Sequence, residues 1–433
     1  MNFISRTVFE AGTILHLPTD TGDAMPDSGK ERVNIYPVER QNILGFGGAF
    51  TESAAYTYSG LDSETRRRVM NSLFGADGLR YNFCRICIGS SDFAVGMYDY
   101  LDAGDRTLGS FSIEHDRKYV LPMIKDAMSA AAAAGEEIIF IASPWSPPAF
   151  MKDNGTRVQG HLLPRYRALY AEYIADFIEE YKKEGVEIFA VTPQNEPLAP
   201  SEWDSCQMSG DEEVAQIRAL SAAFSARGLN TKILAWDHNK GRLFHRLETV
   251  YREAGDLVAG TAFHWYSGRH FEELALVREL YPDKLLIESE FCNGLGRKIF
   301  DSYGAELVGN LSHGVNAECE WNLLLDAEGG PYQSRSFGCS APIMTDGKEL
   351  SFRRSFNEMY MLSHFVRRGA HALATSSFCA ELSAAAFRNP DGRLVVVVRN
   401  SSDRSITYNL SVFNRLHRVT ITPDTMVTYE IEE

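Results

Sequence analysis

The chain has no apolar run long enough to cross a bilayer, no basic surplus and no cysteine framework, and each absence excludes a class of function. No stretch of 18 or more apolar residues occurs in the 433, so no membrane span is expected. The formal charge of −15 argues against nucleic-acid or anionic-membrane partners, because phosphate recognition needs a basic surface. The seven cysteines are odd in number and irregularly spaced, which points to reduced thiols in a reducing compartment. Cys84 and Cys87 form a C-x-x-C, but strand residues three apart face opposite sides and no second pair exists. Both therefore read as buried structural thiols. The N-terminus, MNFISRTVFEAGTILHL, lacks a basic n-region and is interrupted by Arg6, Glu10 and Gly12, which is not a secretory signal. A cytoplasmic location is expected. No compact ligand motif such as H-E-x-x-H is present, and GFGGAF (45–50) sits inside an apolar run without the helix start that a phosphate needs. Neither a cofactor nor a metal is expected.

What remains is an ordinary globular composition, 44% hydrophobic and 23% charged. From 44 to 326, eight short apolar runs alternate with amphipathic segments: 44–50, 80–90, 137–145, 188–197, 232–239, 260–267, 284–291 and 317–326. The intervening stretches 63–74, 117–135 and 165–185 carry helical periodicity. Apolar strands alternating with helices imply βαβ units, and eight of them match a (β/α)₈ TIM barrel, with a doubly wound open sheet as the alternative. Both ends differ. Residues 384–400, 405–413 and 417–433 read as short antiparallel strands, the first broken by an Asn-Pro-Asp-Gly turn at 389–392. N-terminal strands near 7–17 and 32–37 can complete the same β-sandwich. The expected organisation is 1–40 as N-terminal strands of the sandwich, 41–350 as the barrel, and 351–433 as the remainder of the sandwich.

In such barrels chemistry collects at the C-terminal ends of the strands. Those ends carry Arg85, Asp92, Trp145, Asn195, Glu196, Asp237, His238, His264, Tyr266, Glu290 and Trp321. Four of the five tryptophans (Trp145, Trp236, Trp265, Trp321) lie there too, and tryptophan faces stack on the C–H faces of sugar rings. Glu196 and Glu290 end the fourth and seventh strands, so their carboxyls can meet across a bound sugar, as glycoside hydrolysis requires. Asn195 is placed to bind the sugar 2-OH. The stretch KLLIESEFCNG (284–294) holds a second glutamate, Glu288, two residues before Glu290. Strict alternation puts both on the inner face, with Glu288 lower in the barrel as a buried partner for Arg85.

The ordered motifs GFGGAFTESAA (45–55), GLRYNFCRICIGSSDF (78–93), ASPWSPPAFMK (142–152), VTPQNEP (191–197), WDSCQ (203–207), HWYS (264–267), ESEFCNG (288–294), EWNLLLDAEGGP (320–331) and MYMLSHFVRRGA (359–370) resemble the family 30 glycoside hydrolases, the family of acid β-glucocerebrosidase. The resemblance implies a barrel with a β-sandwich built from both termini. It implies Glu196 as acid/base and Glu290 as nucleophile of a retaining double displacement. Asp92, Trp145, Asn195, Tyr266 and Trp321 fall on its sugar-binding positions, and Arg85 on one that supports the nucleophile. His264 is a further candidate sugar contact and Asp237 a candidate support for the acid/base. On this reading Glu196 has a raised pKa and Glu290 stays ionised.

Two departures bear on substrate. Glu288 stands where glucocerebrosidase-like sequences carry a small residue, and the segment after Glu196 is shorter. The expected substrate is a small carbohydrate or a glycolipid, cleaved by an exo-acting β-glucosidase or glucosylceramidase-like activity. The alternatives are an endo β-1,6-glucanase, a xylanase, a β-xylosidase or a β-fucosidase. Two rivals lie outside glycoside hydrolysis: a metal-dependent barrel enzyme using Asp92, Asp237, His264, Glu288 and Glu290, and an inactive sugar-binding barrel.

Overall fold

The eight apolar runs become eight parallel strands: β1 (Gly45–Phe50), β2 (Phe83–Ile88), β3 (Ile139–Pro144), β4 (Ile188–Val191), β5 (Lys232–Asn239), β6 (Gly260–His264), β7 (Leu285–Glu290) and β8 (Ala317–Asn322). Each pairs with the next, and β8 returns to β1 to close the barrel. The structure, a computed structural model, describes residues 2–10, 13–17, 31–294, 303–334 and 338–433. Alternation divides each strand between two apolar environments. Phe83, Ile141, Leu234 and Ile287 fill the barrel axis, whereas Ile86, Phe140, Ile233 and Leu286 pack against the surrounding helices.

The helices start where the sequence supplies caps. Asp62 accepts from the Thr65 amide at the head of Ser63–Phe74. Ser209 and Glu212 form a reciprocal capping box at Gly210–Arg227, whose far end closes on Gly228 at φ +64°. The periodic segment 117–135 is interrupted at Tyr119, between Glu114–Lys118 and Val120–Ala133.

The two ends of the chain meet in one nine-stranded sheet. Its order is Thr13–Leu17, Asn2–Glu10, Thr425–Glu432, Leu394–Asn400, Leu382–Arg388, His371–Ser377, Arg32–Asn42, Ile406–Val412 and Arg415–Ile421. All neighbours are antiparallel except Arg32–Asn42 with Ile406–Val412. Strands far apart in that order face each other: the Phe3 ring lies 4.7 Å from His417, and Arg6 donates to the Thr420 carbonyl at 3.0 Å. The sheet therefore folds over itself into a sandwich around Val8, Val33, Val396, Leu410, Val427 and Ile431. The turn at 389–392 forms, with the Gly392 amide donating to the Asn389 carbonyl at 2.9 Å.

Several acids are buried between barrel and helices. Glu320 of β8 accepts from the Tyr81 hydroxyl, and burial pushes its carboxyl up to about 8 against the lowering effect of that bond. Between its ordinary value near 4.5 and about 8, the folded state holds a proton that the unfolded state releases. Stability should fall as pH rises through that window, by up to about 5 kcal/mol for this group. Glu320→Gln keeps an acceptor for Tyr81 and cannot ionise. Its melting temperature should match the wild type near pH 5 and exceed it by several degrees at pH 9; parallel melting curves would exclude this role for Glu320.

Candidate active site

The barrel mouth is organised around one guanidinium. Arg85, fully buried on β2, donates Nη1 to Glu290 Oε2 at 2.6 Å and Nη2 to Asn195 Oδ1 and Asp237 Oδ2, both at 2.8 Å. Its Nε donates to Ser143 Oγ at 3.1 Å. A planar fork with fixed donors suits a site where four side chains must hold one geometry. The rings of Trp145 and Trp321 lie 4.8 and 5.6 Å from the guanidinium carbon and stack on each other at 5.2 Å.

Asp237 is the second hub. Its Oδ2 also accepts from Thr192 at 2.6 Å, and its Oδ1 accepts from Ser289 Oγ at 2.6 Å and pairs with His264 Nε2 at 3.1 Å. Burial alone would raise this carboxyl, but Arg85 and His264 hold it well below the ordinary range. His264 Nδ1 lies 3.1 Å from Glu196 Oε1 and 3.9 Å from Glu290 Oε1. The two carboxylate oxygens are thus no farther apart than about 7 Å, which closes most of the inverting range of about 6.5–9.5 Å. The Tyr266 hydroxyl donates to Glu290 Oε1 at 3.1 Å.

The backbone that delivers these groups is irregular. Glu196 sits at φ +45°, and its amide donates to the Asp237 carbonyl at 2.9 Å. Trp236 and Asp237 both have positive φ, at +75° and +60°, where the β5–β6 register slips. Non-glycine residues adopt such values only when their surroundings enforce them. The slip turns Trp236 outward, where its indole donates to the Asn239 carbonyl, and turns Asp237 inward. A second slip lies between Glu288 and Glu290. It places Ser289 and Glu290 both on the inner face and leaves Glu288 outside.

Three expectations change as a result. Glu288 is not the partner of Arg85. It faces the helix Tyr303–Ser312, accepts from Asn310 Nδ2 at 2.8 Å, and shares its surroundings with Glu306, Glu318 and Lys240. Burial and the neighbouring glutamates hold it well above the ordinary range. Four tryptophans at strand ends do not make four sugar platforms, since Trp265 packs edge-on against Phe291 and Tyr303 on the helix side, as Trp236 does on its own. The two carboxyl shifts also run opposite to the expectation in the open site. Burial raises Glu196, but His238 and His264 beside it outweigh that and hold it below its usual value. Burial raises Glu290 more than His264 and Arg85 lower it. His264, lowered by burial but raised by Glu290, Asp237 and Glu196, is pushed up to about 10. In the open site the proton therefore rests on His264.

Asp92 and Trp321 have capacity to spare. Asp92 Oδ1 and Trp321 Nε1 are shielded from solvent and have no partner among the described residues. Burial, then Glu290 and Glu196, push the Asp92 carboxyl well above the ordinary range. The sequence reading passed over Ser143, Thr192, Gln194 and Ser289. Gln194 Nε2 ties the Trp145 and Asn195 carbonyls together at 2.7 and 2.8 Å. A hydroxyl residue at an inward position next to the rim was the available signal. Among the described residues, Glu196, His238 and His264 are the one grouping with metal-ligand spacing; Asp92, Glu288 and Glu290 are not part of it. Cys84 and Cys87 are both free and lie in different apolar clusters.

Comparison with known proteins agrees with this fold. Residues 43–368 match the glycosyl hydrolase family 30 TIM-barrel domain, and residues 369–429 match that family's β-sandwich domain. The chain is 30% identical to the lysosomal acid glucosylceramidase of Mus musculus over 404 residues, covering 86% of this chain and 77% of that protein. It is 28% identical to an endo-1,6-β-D-glucanase of Neurospora crassa over 391 residues, covering 85% and 80%. Among solved structures, SrfJ from Salmonella typhimurium superposes with a TM-score of 0.92 at 29% identity, covering 99% of both chains. An endo-β1,6-glucanase superposes at 0.87 and 25% identity with the same coverage.

Proposed function

Because the chain belongs to glycosyl hydrolase family 30, and is thus a glycoside hydrolase, we propose that it is a retaining, exo-acting β-glycosidase of the β-glucosidase or glucosylceramidase type. The observation that carries the proposal is the shared frame of the two carboxylates. Arg85 grips Glu290, Glu196 is tied to the Asp237 backbone and to His264, and Asp237 joins both halves. The substrate is a small carbohydrate or glycolipid whose terminal sugar enters the mouth. Asp92 Oδ1 and Trp321 Nε1 are buried polar groups left for its hydroxyls.

Glu196 is the general acid and Glu290 the nucleophile. A sugar in the mouth covers the 20% of the Glu196 side chain that is open to solvent. Desolvation raises that carboxyl, and the proton passes from His264 Nδ1 to Glu196 across their 3.1 Å contact. Glu196 then donates it to the glycosidic oxygen as a Glu290 oxygen bonds to the anomeric carbon. The leaving group departs as an alcohol and Glu290 is held as an ester. Glu196, now a carboxylate, takes a proton from the incoming water, whose oxygen replaces Glu290 at the same carbon. Two inversions give retention.

The likeness to endo-1,6-β-glucanases supports a second reading, cleavage inside a β-1,6-glucan. One panel separates the two: nitrophenyl β-glucoside, xyloside, fucoside and galactoside, glucosylceramide, and linear β-1,6-glucan with product sizing. Exo action predicts single sugars released from nitrophenyl β-glucoside or glucosylceramide. Oligosaccharides from the glucan as the dominant products would replace the first reading with the second.

A further inference from the structure

We infer that Glu196, His238 and His264 form a binding site for one divalent cation of the zinc class, seated on the acid/base carboxylate. Glu196 Oε1 lies 3.1 Å from His264 Nδ1 and 3.5 Å from His238 Nδ1, and all three ligand atoms fall within 4.8 Å of one another. Neighbouring ligands on a tetrahedral zinc with bonds of about 2.0–2.1 Å sit roughly 3.3 Å apart. Two of the edges are thus close to formed, and the third, between His238 and His264, lies within 4.8 Å and closes on the metal.

The surroundings orient the ligands as a metal requires. His264 directs Nε2 at Asp237 Oδ1, 3.1 Å away, the carboxylate–histidine arrangement that presents the other nitrogen to a metal. Asp237 is itself immobilised by Arg85, Thr192 and Ser289. His238 Nδ1 is shielded from solvent and makes no hydrogen bond among the described residues. His238 reaches this position because the irregular turn of β5 at Trp236 and Asp237 carries it alongside Glu196. Two imidazoles, one carboxylate and an open fourth position suit zinc or its late first-row neighbours. Calcium and magnesium need more oxygen ligands than the site offers.

Binding needs this geometry and the departure of the His264 Nδ1 proton to solvent, since a ligating imidazole nitrogen must be unprotonated. Its consequence, reversible inhibition, rests on Glu196 being the acid/base. Cobalt(II) and zinc titrations of the full chain test both. The expected result is one equivalent of cobalt with an intense tetrahedral visible band, displaced by zinc, and a zinc-dependent rise in Tm. His238→Asn and His238→Gln should each weaken zinc binding by at least the roughly 10–100-fold that loss of a supporting group costs. Zinc should inhibit the wild type, with recovery on chelation, and inhibit the His238 variants at correspondingly higher concentration. Affinity unchanged in both variants, or a thiolate-to-cobalt band marking one of the seven free cysteines, would overturn the site. Zinc bound as expected with turnover untouched would uphold the site and overturn the acid/base role of Glu196.

Discussion

Glu290→Gln should lower kcat by about 10⁴–10⁶-fold on every glycoside the enzyme accepts, the range seen when a covalent nucleophile is removed. The fold should survive. Glutamine retains an oxygen for Arg85 Nη1, which Glu290 Oε2 meets at 2.6 Å. The guanidinium also keeps Asp237 and Asn195 at 2.8 Å, so its charge is not left unpaired. A drop in kcat with an unchanged Tm would assign the loss to chemistry. A second measurement identifies the bond itself. A slow-turnover fluorosugar β-glycoside should label the wild type with one equivalent, and peptide mapping should place the label on Glu290. Glu288 cannot take its place, because it accepts from Asn310 on the outer face of β7. Label on any other residue, or residual activity within tenfold of wild type, would remove Glu290 from the mechanism.

The fold was legible because barrel strands and helices carry different periods. Alternation of the runs between 44 and 326 with helices predicted a parallel sheet, their number, eight, favoured a closed barrel over an open sheet, and the eight strands close in chain order. The terminal strands were legible for the same reason, as short patterned runs with a turn at 389–392. Which residues gather at the mouth was legible too: Arg85, Asn195, Asp237, His264, Tyr266 and Glu290 converge as strand-end residues should. Side was not. A period of two cannot foresee a bulge, and one inserted residue exchanges the faces of everything after it. With Ile287 on the axis, Glu288 falls outside and Ser289 inside, and the slip after Glu288 brings Glu290 in beside Ser289. The slip near Asp237 sends Trp236 out and brings Asp237 in. Protonation was equally out of reach. His238 and His264 come to Glu196 from β5 and from the end of β6, and their effect on its carboxyl exists only after folding.

Glu196→Ala should behave differently from Glu290→Gln, and the difference tests the division of labour. A general acid matters in proportion to the basicity of the leaving group. For an alkyl or ceramide-type glycoside, kcat/KM should fall by about 10²–10⁴-fold, the usual worth of a positioned acid. For a dinitrophenyl glycoside, whose leaving group needs no proton, kcat/KM should fall by less than about tenfold, on the same scale. The second half-reaction then becomes slow with every substrate, because no base remains to activate water, and the ester on Glu290 accumulates. Azide needs no base. It should restore kcat in Glu196→Ala and release the β-configured glycosyl azide, since attack on the Glu290 ester inverts the carbon a second time. Removing the carboxylate also takes away the group 3.1 Å from His264 Nδ1. The imidazolium keeps Asp237 and Glu290 as counter-charges, so the alanine enzyme should stay folded and Arg85 should keep its grip on the nucleophile. Equal losses on activated and unactivated substrates, without azide rescue, would mean that Glu196 acts by holding the site together, and the proton donor would have to be sought at His264.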